Sequence, residues 1–211
     1  MTVFTPIFVI LLSYALGCIA VGYYLVRWRT GQDVRQIGSG ATGGRNVGLV
    51  LGAAGTIITG LGDLLKGALA MAIALRVKLD LWALALVMIA VLAGHVWPMQ
   101  LGFKGGKGLS TAFGSVFVYD YRIALITLLI VVPLFFLSRR NEFVFLIGVA
   151  GSPVIAFLLG YGWQIVAGMV VVVAIIWYAH RDNIRASLKP QTTSKGECVD
   201  EPVDIQSRDR T

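Results

Sequence analysis

Residues 37–48 read IGSGATGGRNVG, and Gly38, Gly40 and Gly43 in them spell G-x-G-x-x-G. Glycines at that spacing let backbone amides close on a phosphate. Asp63 follows 20 residues after Gly43, the interval at which a dinucleotide-binding fold places its ribose-binding carboxylate. The context excludes that fold. It requires a buried strand before the glycines, whereas the polar stretch RTGQDVRQ stands there, and Asp63 falls inside an apolar run. The residue types still suit an anion: Ser39, Thr42 and Asn46 add side-chain donors and Arg45 adds charge. Taken alone, the segment also reads as a loop whose glycines only make turns.

A second segment, GFKGGKGLST at 102–111, sets Lys104 and Lys107 among Gly102, Gly105, Gly106 and Gly108. Gly108 stands where a Walker A loop needs Ser or Thr after its lysine, so this is a donor-rich anion loop of another kind. In GLGDLLKG, Asp63 and Lys66 lie at i and i+3 on one helix face. Ionisable groups inside a membrane span are costly, so the pair either orders the bundle or orients a site. AGHVWPMQ carries His95 just before the second glycine loop, and Pro98 ends the helix there. WYAHRDNIR places His180, Arg181, Asn183 and Arg185 at the end of the last apolar run. His180 and Asn183 share one helix face, Arg181 and Arg185 the next. Trp177 and Tyr178 beside them read as interfacial anchors.

The elements that must position these groups are membrane helices. The chain has 211 residues, 57% hydrophobic and 14% charged, with a mean hydropathy of +0.79; soluble domains carry about 25% charged residues. The formal net charge of +7 does not indicate nucleic acid, because the basic residues sit in short gaps between apolar runs. Roughly 20 apolar residues cross a bilayer. Seven runs are read as crossings: Phe4–Val26, Val47–Leu75, Leu81–Trp97, Leu109–Val118, Ile123–Leu137, Phe143–Leu159 and Trp163–Tyr178. The fourth is short, a span or a re-entrant piece. The first lacks a basic flank before Arg27 and outlasts a signal sequence, so it is read as retained.

The expected fold is an all-α integral membrane bundle of about seven helices, with the N-terminus outside and the C-terminus cytosolic. With that orientation Arg27, Arg29, Arg35, Arg45, Lys104, Lys107, Arg139, Arg140, Arg181, Arg185 and Lys189 lie inside, against Arg76, Lys78 and Arg122 outside. Residues 1–189 form the membrane domain. Residues 190–211 are polar, contain Pro190 and Pro202, and are expected to be a disordered cytosolic tail. Cys18 and Cys198 show no sign of pairing or of metal binding. Three basic or His-bearing segments thus meet on one membrane face above apolar helices, which suits a substrate with a phosphate head and an apolar chain.

The segments GSGATGGRNV, GDLLKG, GHVWP, FKGGKG and HRDNIR, in this order from Met1 to Lys189, resemble the acyl-phosphate:glycerol-3-phosphate acyltransferases of bacterial membranes. FKGGKG with the terminal HR-x-N-I-x-R is the specific pair. The resemblance implies seven spans, motif loops in the cytosol, and residence in the bacterial cytoplasmic (inner) membrane. It implies transfer of a fatty acyl group from acyl phosphate to the 1-hydroxyl of glycerol 3-phosphate, giving lysophosphatidic acid and phosphate, the first step of phospholipid synthesis. No cofactor, metal, coenzyme A or acyl carrier protein is implied, and no nucleic-acid partner. The His-x4-Asp motif of acyltransferases with soluble donors is absent, since neither His95 nor His180 has Asp at i+5.

Such a donor is already activated, so the site mainly positions two anions and offsets their repulsion. On the resemblance, Lys104, Lys107 and the amides of Gly105, Gly106 and Gly108 clamp the acyl phosphate. His180, Asn183 and Arg185 hold glycerol 3-phosphate, with His180, Asn183 and Lys104 catalytic. The remaining substrate-binding set is Gly38, Ser39, Gly40, Gly43, Arg45, Asn46, Asp63, Lys66, His95 and Arg181. Either His180 or a donor phosphate oxygen takes the hydroxyl proton.

The family's first motif reads approximately G-S-G-N-x-G-A-T-N-V-x-R. Here Ala41 replaces its first Asn, Gly44 and Arg45 replace Ala-Thr, and Leu49 replaces Arg. Phe143 stands where the family has Ser after its fifth span. Two other readings stay open: a relative with another acyl acceptor, and a non-catalytic membrane protein that binds or moves phosphorylated small molecules. A CDP-alcohol phosphotransferase is excluded, because Asp63 alone on its helix supplies no carboxylate-rich metal motif.

Overall fold

A computed structural model describes residues 4–137 and 141–188. The expectations for Arg139, Arg140, Lys189, Cys198 and the tail at 190–211 lie outside the described residues. Among the described residues eight α-helices follow one another: α1 Phe4–Gly17, α2 Val21–Thr30, α3 Gly44–Arg76, α4 Leu81–Val96, α5 Leu109–Tyr119, α6 Tyr121–Leu137, α7 Asn141–Leu158 and α8 Trp163–Leu188. Among the described residues there is no strand. Four helical stretches among the described residues are long and apolar enough to cross a membrane, α1 and α2 together forming the first and α3, α4 and α8 the others, while α5, α6 and α7 are shorter apolar helices.

The first run is not one continuous helix, as its unbroken apolarity led one to expect. It opens at residues 18–20, between α1 and α2. Non-helical backbone at membrane depth survives only where protein groups satisfy it. Here the Gln100 side chain donates to the Cys18 carbonyl, and Lys66 Nζ donates to the Ile19 carbonyl at 2.9 Å. Tyr14 Oη, one turn earlier, donates to the Trp97 carbonyl at 2.8 Å and fixes α1 to the end of α4.

The second run is also broken. Within α3, Gly52 adopts φ 65° and ψ −159°, a left-handed conformation that glycine takes without a Cβ penalty. The turns at 44–51 are thereby angled away from the membrane-crossing stretch at 53–76.

The fourth run forms α5, 11 residues long and so about 16 Å, roughly half a bilayer core. Its depth follows from its packing. A Cβ at Gly67 would strike the Thr111 carbonyl, and one at Gly114 would strike that of Leu64. Gly67 lies nine residues before Arg76, the end of α3, which is about 13 Å along that helix. The start of α5 therefore lies deep in the bundle, and the preceding loop folds down to meet it.

Fully buried Met71, Met88, Leu92, Ile123, Ile165, Met169 and Ile176 fill the space between α3, α4, α6 and α8. Phe4, Leu129, Phe157 and Val170 point outward and are largely exposed, as lipid-facing side chains are. Helices in lipid associate by close backbone packing, and α1 meets α4 in this way at Gly17 and Gly94. At the end of the bundle away from the glycine loops, Arg122 donates to both carboxylate oxygens of Asp120, from Nε to Oδ1 at 3.1 Å and from Nη2 to Oδ2 at 2.7 Å, and Tyr161 Oη bonds the same group. This ties the α5–α6 junction to the α7–α8 loop.

A side chain at Gly94 would meet the Tyr14 carbonyl and the Gly17 Cα. Gly94→Val is expected to cost about 3 kcal/mol, the upper end for overpacking, because both obstacles are backbone. The thermal midpoint in detergent should fall accordingly. Gly151→Ala, where a Cβ meets nothing, should leave it unchanged.

Candidate active site

The first glycine loop is built around Asn46, in the first turn of α3 and 4% exposed. Its Nδ2 donates to the carbonyls of Val34, Ile37 and Ala41, each at 2.9 Å. Its Oδ1 accepts from the Ser39 N–H at 3.0 Å. The amide's hydrogen-bonding capacity is thus committed to the loop itself, so Asn46 acts as the strut that presents Ser39 and Arg45. Gly38 and Gly40 supply the loop's positive-φ turns.

The second loop is hung from the end of α4. The N–H groups of Gly105 and Gly106 donate to the carbonyls of Val96 (3.1 Å) and His95 (3.0 Å). Gly108 caps α5 with φ 86°. Two bonds tie this loop to the first. Thr42 N–H donates to the Gly105 carbonyl at 3.2 Å, and Arg35 Nη1 donates to the Leu101 carbonyl at 2.7 Å. Arg35 is itself held by both oxygens of Asp33 (2.9 and 2.6 Å) and lies 5.0 Å from the Tyr23 ring centroid. Hydrogen bonds from Arg35 hold the Asp33 carboxyl below the usual carboxylate range, so this latch stays charged well into the acid range.

Between the loops and the end of α8 lies a cavity of about 770 Å³. Ser39, Gly43, Arg45 and Asn46 line it from the first segment, Lys107 and Gly108 from the second, and His180 and Asn183 from α8. The three sequence segments therefore share one end of the bundle. His180 is buried, and its Nδ1 lies 2.8 Å from the Ile176 carbonyl. A carbonyl only accepts, so Nδ1 carries the proton and Nε2 is the basic nitrogen of the neutral ring.

Other sequence-derived residues are placed elsewhere. Lys104 is exposed and outside the cavity lining, whereas half-buried Lys107 is in it. Gly38, Gly40, Gly105 and Gly106 shape their loops without lining the cavity. Arg181 lies over the Tyr178 ring at 4.2 Å, and Arg185 approaches Asp182 at 4.0 Å. Both arginines are exposed on the α8 face beside His180 and Asn183 and outside the lining.

Beneath the loops, Asp63 Oδ1 lies 2.9 Å from Lys66 Nζ and 3.4 Å from His95 Nδ1, and all three side chains are buried. Asp63 and His95 line the cavity floor; Lys66 stands behind them. Lys66 offsets the carboxylate, and Arg45 and Lys107 bring cationic side chains to the cavity lining. The helix starts at Gly44 and Leu109 open into the same space and favour anions there. Among the described residues, no group of three or more His, Cys, Asp or Glu is placed to hold a metal ion.

One side of the cavity is apolar. Leu49, Leu109, Phe135 and Phe145 line it, the two phenylalanine rings 5.5 Å apart. Phe136 and Leu137, next along α6, are 81% and 85% exposed, so this side adjoins the lipid-facing surface. Sequence reasoning did not single out Thr56, Gly60, Ser110, Phe135 or Phe145 as lining residues. Thr56 and Gly60 were readable as one helix face continued back from Asp63 at i−7 and i−3. The phenylalanines carried no signal in an already apolar run.

Residues 7–190 match the family described as Glycerol-3-phosphate acyltransferase. A Desulfitobacterium hafniense protein named Glycerol-3-phosphate acyltransferase 1 is 42% identical, over 86% of this chain and 90% of its own. An Aquifex aeolicus Glycerol-3-phosphate acyltransferase is 32% identical over 86% of this chain and 95% of its own. The crystal structure of PlsY (YgiH), described as an integral membrane glycerol 3-phosphate acyltransferase in its glycerol 3-phosphate form, superimposes with a TM-score of 0.82 at 31% identity. That match covers 87% of this chain and 92% of the other. The same protein's lysophosphatidic acid form gives 0.79 at 30% identity. With matches of this extent in sequence and in fold, the chain belongs to the glycerol-3-phosphate acyltransferase family of integral membrane proteins.

Proposed function

We propose that this chain moves a fatty acyl group from acyl phosphate to the 1-hydroxyl of glycerol 3-phosphate, releasing lysophosphatidic acid and phosphate. The observation that carries the reading is one cavity that joins two basic helix starts, a histidine with a basic Nε2, and an apolar side next to lipid. The acceptor and product are those named for the two PlsY structures. The acyl phosphate donor rests on the chemistry of the site. A mixed anhydride needs no further activation, and two phosphates match two cationic positions.

Lys107 with the first turn of α5 holds one phosphate; Arg45 and Ser39 with the first turn of α3 hold the other. Arg45 and Leu49, at i and i+4, both face the cavity, so Arg45 supplies from one turn away the charge that Leu49 lacks. The hydroxyl attacks the acyl carbonyl carbon, the bond from that carbon to the phosphate oxygen breaks, and phosphate leaves. His180 Nε2 or a phosphate oxygen accepts the hydroxyl proton, with Asn183 beside it. The loops face the cytosol of a bacterial cell and the protein resides in its cytoplasmic membrane, in keeping with the Lys/Arg bias.

The test is phosphate release from palmitoyl phosphate by the purified protein in lipid, with and without glycerol 3-phosphate. Release that depends on the acceptor and is matched by lysophosphatidic acid is expected. Release without that dependence would overturn the acceptor. Lys107→Ala should lower kcat/KM by about 100-fold or more, the usual cost of one charge-stabilising donor. Lys104→Ala, at an exposed position, should change it by no more than about twofold. His180→Ala should cost about 100-fold or more if Nε2 takes the proton; a normal rate assigns that step to the phosphate.

A further inference from the structure

No aspartate follows either histidine at the spacing of the His-x4-Asp motif, yet the fold assembles an Asp–His pair from two helices. His95 Nδ1 on α4 lies 3.4 Å from Asp63 Oδ1 on α3, a close contact without hydrogen-bond geometry. Lys66 Nζ fixes that oxygen from the other side at 2.9 Å while also bonding the Ile19 carbonyl. The far edge of the imidazole is covered. A Cβ at Gly106 would fall on His95 Nε2 and Cε1, so this edge of the ring packs directly against the loop. His95 also accepts the Gly106 N–H through its own carbonyl at 3.0 Å. One residue thus grips Gly106 by backbone and by side chain, immediately before Lys107 and Gly108.

The carboxylate itself presents a puzzle. Asp63 lines a cavity otherwise arranged for anions, where its charge opposes substrate, and an ionised group in a span is costly. We propose that Asp63 is a positioning residue: braced by Lys66, it sets the His95 ring, and the ring sets the strip from Gly106 to Gly108 and with it Lys107 and the start of α5. A carboxylate that orients a histidine acts in the same way behind metal ligands; here the supported object is a phosphate loop. This rests on the reading that Lys107 holds a substrate phosphate.

The test compares Asp63→Asn, Gly106→Ala and the double variant, measuring kcat and both KM values with palmitoyl phosphate and glycerol 3-phosphate. Each single change should raise by about tenfold the KM of the substrate bound by Lys107, identified by the KM that Lys107→Ala raises. The other KM should stay within about twofold. The double variant should be no worse than the poorer single, because both break one device. A purely structural role would lower kcat through lost folded protein with both KM values unchanged, and that result overturns the proposal. So does a double variant whose defects multiply. If Asp63→Asn fails to fold, Gly106→Ala must still produce the split in KM, since it leaves every charge in place. Wild-type protein that turns over nothing overturns the functional reading and this device with it; an active wild type without the split overturns the device alone.

Discussion

A single ammonium group at membrane depth meets the two demands that shape this bundle. Lys66 Nζ neutralises Asp63 and donates to the Ile19 carbonyl, both at 2.9 Å. The first demand is that a charge buried among helices must be compensated. The second is that backbone leaving helical geometry inside a bilayer must find partners in the protein. By satisfying both at once, Lys66 fastens α3 to the opening between α1 and α2. That opening lets α2 take its own course, so that Val26 packs with Val34 and Val47 in a small separate core. The first glycine loop, strung from Val34 to Asn46, inherits its position from that core.

The depth of α5 follows from side-chain size. Gly67 and Gly114 let α3 and α5 touch backbone to backbone, and the crossing places the start of α5 well below the other loops. The Gly105–Gly108 segment must then descend into the bundle. It does so by spending two of its N–H groups on the last carbonyls of α4. Lys107 and Gly108 come to line the same cavity as Arg45 as a result. Charges held there act in surroundings less polar than water, where their attraction for a phosphate is stronger.

Much of this was legible in the sequence because it depended on periodicity. The apolar runs marked where the helices lie, and the spacing of His180, Arg181, Asn183 and Arg185 put them on two adjoining faces of α8, of which only the face of His180 and Asn183 lines the cavity. What was not legible depended on contacts between distant segments. The break at residues 18–20 is invisible, because apolar side chains continue through it and its cause, Lys66 and Gln100, lies elsewhere in the chain. Lys104 and Lys107 are equivalent as residue types in a glycine loop; only the turn into α5 at Gly108 sends one inward. The Asp63–His95 pair has no sequence spacing to recognise, since it joins two helices.

The same geometry bears on how the proposed reaction would avoid its simplest competitor. Acyl phosphate is open to attack by water as well as by the glycerol hydroxyl, and water is far more abundant. A site that only attracted phosphate would favour hydrolysis. Here the cationic groups meet an apolar wall formed by Leu49, Leu109, Phe135 and Phe145, so a bound acyl chain would fill the space from which water could approach the carbonyl. The acceptor brings its own phosphate, which gives it a charged anchor that water lacks. In the proposed reaction, selectivity for the hydroxyl would then arise from holding two phosphates at a fixed separation, and the links from Thr42 to Gly105 and from Arg35 to Leu101 tie the two loops together.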